Sequence, residues 1–141
     1  EIKSIDKMTI IAHISDLPVG KYEVYDAISD TAARLAERID ADVIICQTAS
    51  GTTAITMAAQ RPNVPIISVT ANARVANQLA LTYANSAFVR PYSETFGLDL
   101  GKELKKSGYL QLKEGEKDLL AVIVSGDKDK MGTDTIQIRH I

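Results

Sequence analysis

The apolar residues of the chain follow two patterns, helical spacing and short unbroken runs. Segments with helical spacing predict amphipathic helices, and they are 3–14, 23–39, 51–60, 72–84 and 93–107. The strongest of these is 23–39, where apolar side chains share one face and charges lie opposite. Asn72 and Ser93 are predicted N-caps, and Gly108 is a predicted helix stop.

Short apolar runs lie between these helices. Their lack of alternation predicts strands buried on both faces, and they cover 41–47, 65–70, 86–90 and 119–126. The last segment, 135–141 (TIQIRHI), instead alternates between polar and apolar residues. This alternation predicts a fifth strand at the edge of the sheet, with one face exposed.

The order of these elements predicts the sheet topology. Strands that alternate with helices require right-handed crossovers and therefore a mostly parallel sheet. If the first three strands wind outward, the fourth returns beside the first. The link from the fourth strand to the fifth is too short for a crossover. The chain is therefore predicted to be an α/β protein with a mixed five-stranded sheet in the order 3-2-1-4-5, strand 5 being antiparallel.

A polar turn, TASGTT, follows the first predicted strand and leads into a helix. Gly51 allows a tight turn, and amides at a helix N-terminus favour an anion. The hydroxyls of Thr48, Ser50, Thr52 and Thr53 add neutral donors. The turn is thus a candidate phosphate site. The alternative, equally open at this point, is that these hydroxyls only cap the helix.

The predicted strand order brings a second polar loop to the same edge, since ligands collect where the order of an open α/β sheet reverses. This loop follows the fourth strand and contains Lys128 and Lys130. The two ammonium groups are suited to neutralising a phosphate. The alternative is a solvated hairpin tip, as is common for charged loops.

Composition excludes several functional classes. The formal net charge of −2 argues against nucleic-acid binding. The single cysteine, Cys46, lies in an apolar run and is expected to be a small buried hydrophobe. His13 and His140 form no metal-ligand pattern. No apolar run approaches transmembrane length, and no signal peptide is recognisable, so an intracellular location is expected. No nucleophile, base or metal set accompanies the polar turn, which predicts binding without catalysis.

Residues 50–84, SGTTAITMAAQRPNVPIISVTANARVANQLALTYA, closely resemble the C-terminal domain of pyruvate kinase. That family shows the pattern T-x-S-G-x-T-A followed by RP-x-x-PII-x-VT-x-N. The likeness continues through KELKKSGYLQLKEGE, VIVSG and GTDTIQIRHI. Upstream, KSIDKM resembles the segment that leaves the catalytic barrel. The likeness therefore covers nearly the whole chain, with 1–20 as a linking segment and 21–141 as the domain.

The resemblance implies a three-layer α/β/α fold in a cytoplasmic enzyme that transfers phosphoryl from phosphoenolpyruvate to ADP in glycolysis. Its catalytic residues, and its Mg²⁺ and K⁺, would belong to a barrel that this chain lacks. No catalytic residue, metal or cofactor is therefore expected in this domain. The domain is expected to be inactive alone, to contact the barrel and to join subunits of a tetramer.

The resemblance also implies an allosteric effector site. The effector phosphate would bind Thr48–Thr53, and a closing loop would fold over the effector through Gly126, Lys128, Lys130, Gly132 and Thr133. Some members bind fructose 1,6-bisphosphate with a Trp and an Arg on its second phosphate. This chain has no Trp, and no obvious Arg stands in the matching region after Pro91. A sugar monophosphate or a nucleotide monophosphate is therefore as plausible an effector.

Three hypotheses follow. The first is a regulatory and assembly domain of pyruvate kinase, excised from its parent, which suits a chain that begins with Glu1 rather than Met. The second is a free-standing module that binds phosphorylated metabolites without catalysis. The third, an independent enzyme acting on phosphorylated substrates, is disfavoured because no catalytic set accompanies the turn.

Overall fold

The computed structural model describes residues 10–13, 21–82, 85–125 and 135–141. Four helices and six strands lie within these ranges. The helices are α1 (Lys21–Arg38), α2 (Thr52–Ala59), α3 (Ala73–Leu79) and α4 (Phe96–Ser107). The strands are β1 (Ile10–His13), β2 (Val43–Gln47), β3 (Ile66–Thr70), β4 (Asn85–Val89), β5 (Leu120–Ser125) and β6 (Thr135–His140).

All six strands form one sheet in the order β1-β6-β5-β2-β3-β4. Strand β2 is parallel to both β3 and β5, and β3 is parallel to β4. Strand β6 is antiparallel to β5. The five predicted strands are β2 to β6, so the predicted order 3-2-1-4-5 and the antiparallel fifth strand are confirmed.

The sixth strand corrects two predictions. Residues 10–13, predicted to be part of a helix over 3–14, form β1 and pair antiparallel with β6, Ile10 opposite Ile138. Apolar spacing over so short a segment is weak evidence for a helix, and here pairing with an open strand prevailed. Because β1 pairs with it, β6 is not the edge strand. The alternation of polar and apolar residues in β6 reflects a partly exposed face of the sheet. The rest of the predicted linking segment 1–20 lies outside the described residues.

Two predicted helix caps are confirmed. The side chain of Asn72 accepts hydrogen bonds from the amides of Arg74 (2.9 Å) and Val75 (3.4 Å), satisfying two donors of the first turn of α3. Gly108 ends α4 in the left-handed conformation, with φ of 83°, where glycine is favoured.

Two other helix ends were predicted wrongly. Helix α3 ends at Leu79, because the hydroxyl of Thr82 donates to the carbonyl of Leu79 at 2.6 Å within a turn. Helix α4 begins at Phe96, and its N-cap is Thr95 rather than Ser93. The carbonyl of Ser93 accepts from the amide of Phe96 in a preceding turn. Local bonds such as that of the Thr82 side chain and the Ser93 backbone turn compete with helix and are not visible in apolar spacing.

Helices cover both faces of the sheet, giving the expected three layers. Side chains of α1 and α2 pack with Ile44 and Val122 on one face, and α3 joins this layer through Val75 and Leu79 beside Cys46. Helix α4 covers the other face. Cys46 is fully buried, and burial raises the pKa of its thiol to about 12. It is therefore a neutral core residue, as predicted.

Two buried serines are expected to respond in opposite directions to replacement by alanine. Ser29 on α1 is fully buried, and within the described part of the chain its Oγ has no hydrogen-bond partner. Ser68 on β3 is equally buried, but its hydroxyl donates to Asn85 Oδ1 at 2.8 Å. Ser29→Ala should raise the free energy of unfolding by about 1 kcal/mol, whereas Ser68→Ala should lower it by roughly 1–3 kcal/mol.

Urea titrations of the two variants and the unmodified chain measure both changes. A destabilised Ser29→Ala variant would show that this hydroxyl contributes a bond of its own. A Ser68→Ala variant with an unchanged free energy of unfolding would show that the Ser68–Asn85 hydrogen bond does not stabilise the fold.

Candidate functional site

The polar turn and the second polar loop begin at the same edge of the sheet. Cys46 pairs with Val124 in the parallel register of β2 and β5, so the two strands end side by side. Thr135, where β6 begins, lies opposite Ser125. Both ends of the segment 126–134 are therefore at the edge where the 48–53 turn leaves β2, as the predicted topology requires.

The predicted closing loop cannot be described further. Gly126, Lys128, Lys130, Gly132 and Thr133 lie outside the described residues. Their assignment to an effector site stays a prediction.

Gly51 sets the shape of the turn. Its φ of 88° and ψ of −9° are left-handed, and it is the N-cap of α2. Its amide donates to Thr48 Oγ1 at 2.8 Å, and the amide of Thr48 donates to the carbonyl of Val69 at 3.0 Å. Thr48 is buried. Its hydroxyl therefore holds the turn together, and its predicted role as a ligand donor stays a prediction.

Ser50 and Thr52 form the outer side of the turn. Both are exposed, and their hydroxyl oxygens lie 3.0 Å apart. The first backbone bond of α2 runs from the amide of Ile55 to the carbonyl of Gly51. The amide of Thr52, in the first turn of the helix, reaches Ser50 Oγ at 3.4 Å.

Thr53 differs from the other predicted ligand residues in its burial. The residue is only 5% exposed, so its hydroxyl is largely shielded from solvent. The structure thus brings the five predicted turn residues together in one turn, but they differ in exposure and in role. Ser50 and Thr52 face outward, Thr48 and Gly51 build the turn, and Thr53 faces inward.

The chemistry of the turn suits an anion. Its side chains are neutral hydroxyls, and the N-terminus of α2 adds a partial positive charge along with the amides of its first turn. An ammonium or guanidinium group from elsewhere would be needed to balance a phosphate. Among the described residues no group of three or more His, Cys, Asp or Glu side chains is suited to hold a metal ion.

A buried glutamine that the sequence analysis missed lies at the same edge. Gln47 ends β2, and its Oε1 accepts a hydrogen bond from the amide of Gly97 at 2.9 Å. Its Nε2 donates to the carbonyl of Glu94 at 3.4 Å. The signal in the sequence was a polar residue at the end of an apolar run, which gives no indication of a partner 50 positions away.

The opposite edge of the sheet carries a cavity of about 600 Å³ with a charged lining. There Lys113 Nζ lies 3.5 Å from carboxylate oxygens of Asp42 and Asp40. Asp42 first, and then Asp40, raise the pKa of Lys113. Asp42 also accepts from the amide of Leu120 at 2.8 Å. These bonds tie the segment before β5 to the start of β2, which is a structural role.

No helix in the described ranges is both long and apolar enough to cross a membrane.

Comparison with known proteins gives a consistent result. The family model described as "Pyruvate kinase, alpha/beta domain" matches residues 26–139. A pyruvate kinase of Mycobacterium intracellulare is 31% identical over 121 residues, covering 86% of this chain and 25% of the relative. One from Agrobacterium vitis is 30% identical over 100 residues, 71% of this chain and 21% of the relative. The chain thus spans about a quarter of the length of these curated relatives.

Solved structures agree on the fold. A crystal structure of a pyruvate kinase from Cryptosporidium parvum superposes with a TM-score of 0.69 at 24% identity, covering 87% of this chain and 23% of that one. The same organism's enzyme in complex with ADP gives a TM-score of 0.65 at 25% identity, over 87% and 24% of the two chains.

Gly51→Ala is expected to destabilise the chain more than Gly108→Ala. Both glycines have positive φ, so alanine costs roughly 1–2 kcal/mol at each. At Gly51 an added Cβ would also lie 3.2 Å from Val75 Cγ1 and 3.3 Å from Leu79 Cδ2, whereas nothing lies within 4 Å at Gly108. Thermal unfolding of the two variants compares them directly. Equal losses of stability would mean that Val75 and Leu79 of α3 can move away from the added Cβ without cost, so that α3 does not support the turn.

Proposed function

The chain belongs to the pyruvate kinase alpha/beta domain family, and on this basis we propose that it is the regulatory and assembly domain of a pyruvate kinase. The parent reaction would be phosphoryl transfer from phosphoenolpyruvate to ADP, giving pyruvate and ATP in the cytoplasm. The domain would contact the catalytic barrel of its own chain and other subunits of a tetramer. Mg²⁺, K⁺ and the catalytic residues would belong to that barrel, and the domain alone would be inactive.

The regulatory part of the proposal depends on one observation. The turn over residues 48–53 presents two exposed hydroxyls, of Ser50 and Thr52, beside the first amides of α2. Hydroxyls and amides at a helix N-terminus donate hydrogen bonds to a phosphate. The proposed ligand is a phosphorylated effector, either a sugar phosphate or a nucleotide monophosphate.

The rest of the effector would be held by the segment after β5. Lys128 and Lys130 would neutralise the phosphate, and Gly126, Gly132 and Thr133 would let the loop close. Support for this arrangement comes from the register of β2, β5 and β6, which brings both ends of the segment to the edge where the turn lies.

The alternative is a free-standing module that binds phosphorylated metabolites. Its support is that both faces of the sheet carry their own buried side chains and covering helices, as an independently folding domain requires. The gene sequence upstream of Glu1 separates the two proposals. An open reading frame for a barrel would reject the free-standing module.

Calorimetry is expected to detect binding of at least one phosphorylated effector to this chain. The titrants are fructose 1,6-bisphosphate, AMP, ribose 5-phosphate and glucose 6-phosphate, with the matching unphosphorylated sugars as controls. Comparing the bisphosphate with the monophosphates shows whether a second phosphate contributes to affinity. Heat from none of the four would leave the turn as a helix cap and reject the effector site.

Removing either exposed hydroxyl should weaken binding of the effector found in this way. Ser50→Ala and Thr52→Val are each expected to cost roughly 1–3 kcal/mol of binding free energy, since each deletes a hydrogen bond to a charged group. Thr56→Val is the matched control, because its hydroxyl lies one helical turn further on and donates to the carbonyl of Thr52 at 2.9 Å. Affinity unchanged in the first two variants, or lost equally in the third, would contradict the assignment.

A further inference from the structure

Gln47 connects the polar turn to the opposite face of the sheet. It directly precedes Thr48, and its side chain lies on the α4 face with those of Val43 and Ile45. Gln47 is only 9% exposed. Its side-chain amide makes two hydrogen bonds near the start of α4. It accepts from the backbone amide of Gly97 at 2.9 Å and donates to the backbone carbonyl of Glu94 at 3.4 Å. It is a buried polar group with two partners that are distant in the sequence, at and just before the start of α4.

Helix α4 lies very close to β2 at two glycines. A Cβ added to Gly97 would lie 2.6 Å from Gln47 Oε1 and 2.7 Å from its Cγ. One turn further on, a Cβ added to Gly101 would lie 2.8 Å from Ile45 Cδ1 and 2.7 Å from Ile141 Cδ1. Contacts below 3.0 Å between a Cβ and its neighbours do not persist, so the two glycines are what allow this approach.

We infer that Gln47 is a positioning residue that couples the 48–53 turn to the start of α4. The ligand-dependent part of this inference rests on the proposed effector function. The path consists of contacts already described. The Gly51 amide is bonded to Thr48, Thr48 is bonded to Val69, and Gln47 is covalently joined to Thr48. A ligand that tightens the turn also shifts the end of β2, and Gln47 transfers this shift to Gly97 and Glu94.

A purely local role predicts something different. If Gln47 only satisfied the Gly97 amide and the Glu94 carbonyl, its loss would alter the start of α4 and leave the 48–53 turn unchanged. Coupling between the two sites is reciprocal by thermodynamic necessity. A change made at α4 must therefore be detectable in the turn, although the two lie on opposite sides of the sheet.

The test compares Gly97→Ala with Gly101→Ala in the ¹⁵N-labelled chain. Both add a Cβ that presses α4 away from the sheet, but only the first presses on Gln47. In amide correlation spectra Gly97→Ala is expected to shift the signals of Gly51, Thr52 and Thr53, whereas Gly101→Ala leaves them in place. Shifts of the turn in both variants, or in neither, would overturn the coupling.

A second set of variants keeps the test valid if Gly97→Ala does not fold. Gln47→Leu removes the acceptor and should shift the signals of both Gly97 and the Gly51–Thr53 turn. Gln47→Glu keeps an acceptor for the Gly97 amide and should restore both signals toward their original positions. Gln111→Leu, an exposed glutamine at the far edge, is the control. Recovery of Gly97 without recovery of the turn would support the local role alone.

Titration with fructose 1,6-bisphosphate then separates the coupling from the effector proposal. In the unmodified chain the amide signals of Ser50–Thr53 and of Gly97 are expected to move with a single midpoint. Gln47→Leu should weaken binding at least about fivefold, the lower end of typical allosteric coupling, and abolish the Gly97 response. If neither this ligand nor AMP, ribose 5-phosphate or glucose 6-phosphate binds, the effector proposal is rejected, while a turn that still responds to Gly97→Ala would support the coupling. Binding of the ligand without any movement of the Gly97 signal would overturn the coupling.

Discussion

The parallel pairing of β2 with β3 on one side and with β5 on the other is the constraint on which the rest of the fold depends. Since chain direction is the same in all three strands, each must be reached by a crossover. The crossovers through α2 and α3 move outward from β2 to β4, and the one through α4 returns past β2 to β5. Helices α2 and α3 therefore cover one face, while α4 covers the other. The same pairing places the end of β2 where the strand order reverses, the position at which open α/β sheets bind ligands.

The sheet could be predicted from the sequence because its determinants are local. The unbroken run around Ile44 and Ile45 marks a strand buried on both faces, and the short link before Thr135 excludes a crossover. What failed was decided by partners elsewhere in the chain. Strand β1 exists because β6 had an open side, and α3 stops early because Thr82 bonds back to Leu79. Apolar spacing contains no information about either interaction.

The candidate site was predictable to a similar degree. Gly51 and the surrounding hydroxyls marked a turn at a strand end, and that turn is present. The division of its hydroxyls was not predictable, since burial of Thr48 and exposure of Ser50 depend on how the turn folds. Gln47 was missed for a different reason. Its partner Gly97 lies 50 positions away, and glycine inside a helix is normally interpreted as a local weakness and not as space for another side chain.

The hydrogen bonds of the turn also bear on whether its hydroxyls serve only as a cap. A capping serine or threonine would occupy the N-cap position and accept from the second or third amide of the helix. In α2 that position is Gly51, and no side chain caps it. Thr48 Oγ1 accepts from the Gly51 amide and Ser50 Oγ from the Thr52 amide. Ser50 and Thr52 nevertheless stay exposed, so their hydroxyls can also contact a ligand. Because they are neutral, they can orient an anion but cannot balance its charge. Firm binding of a phosphate therefore requires a second, cationic contribution, which is the role proposed above for Lys128 and Lys130.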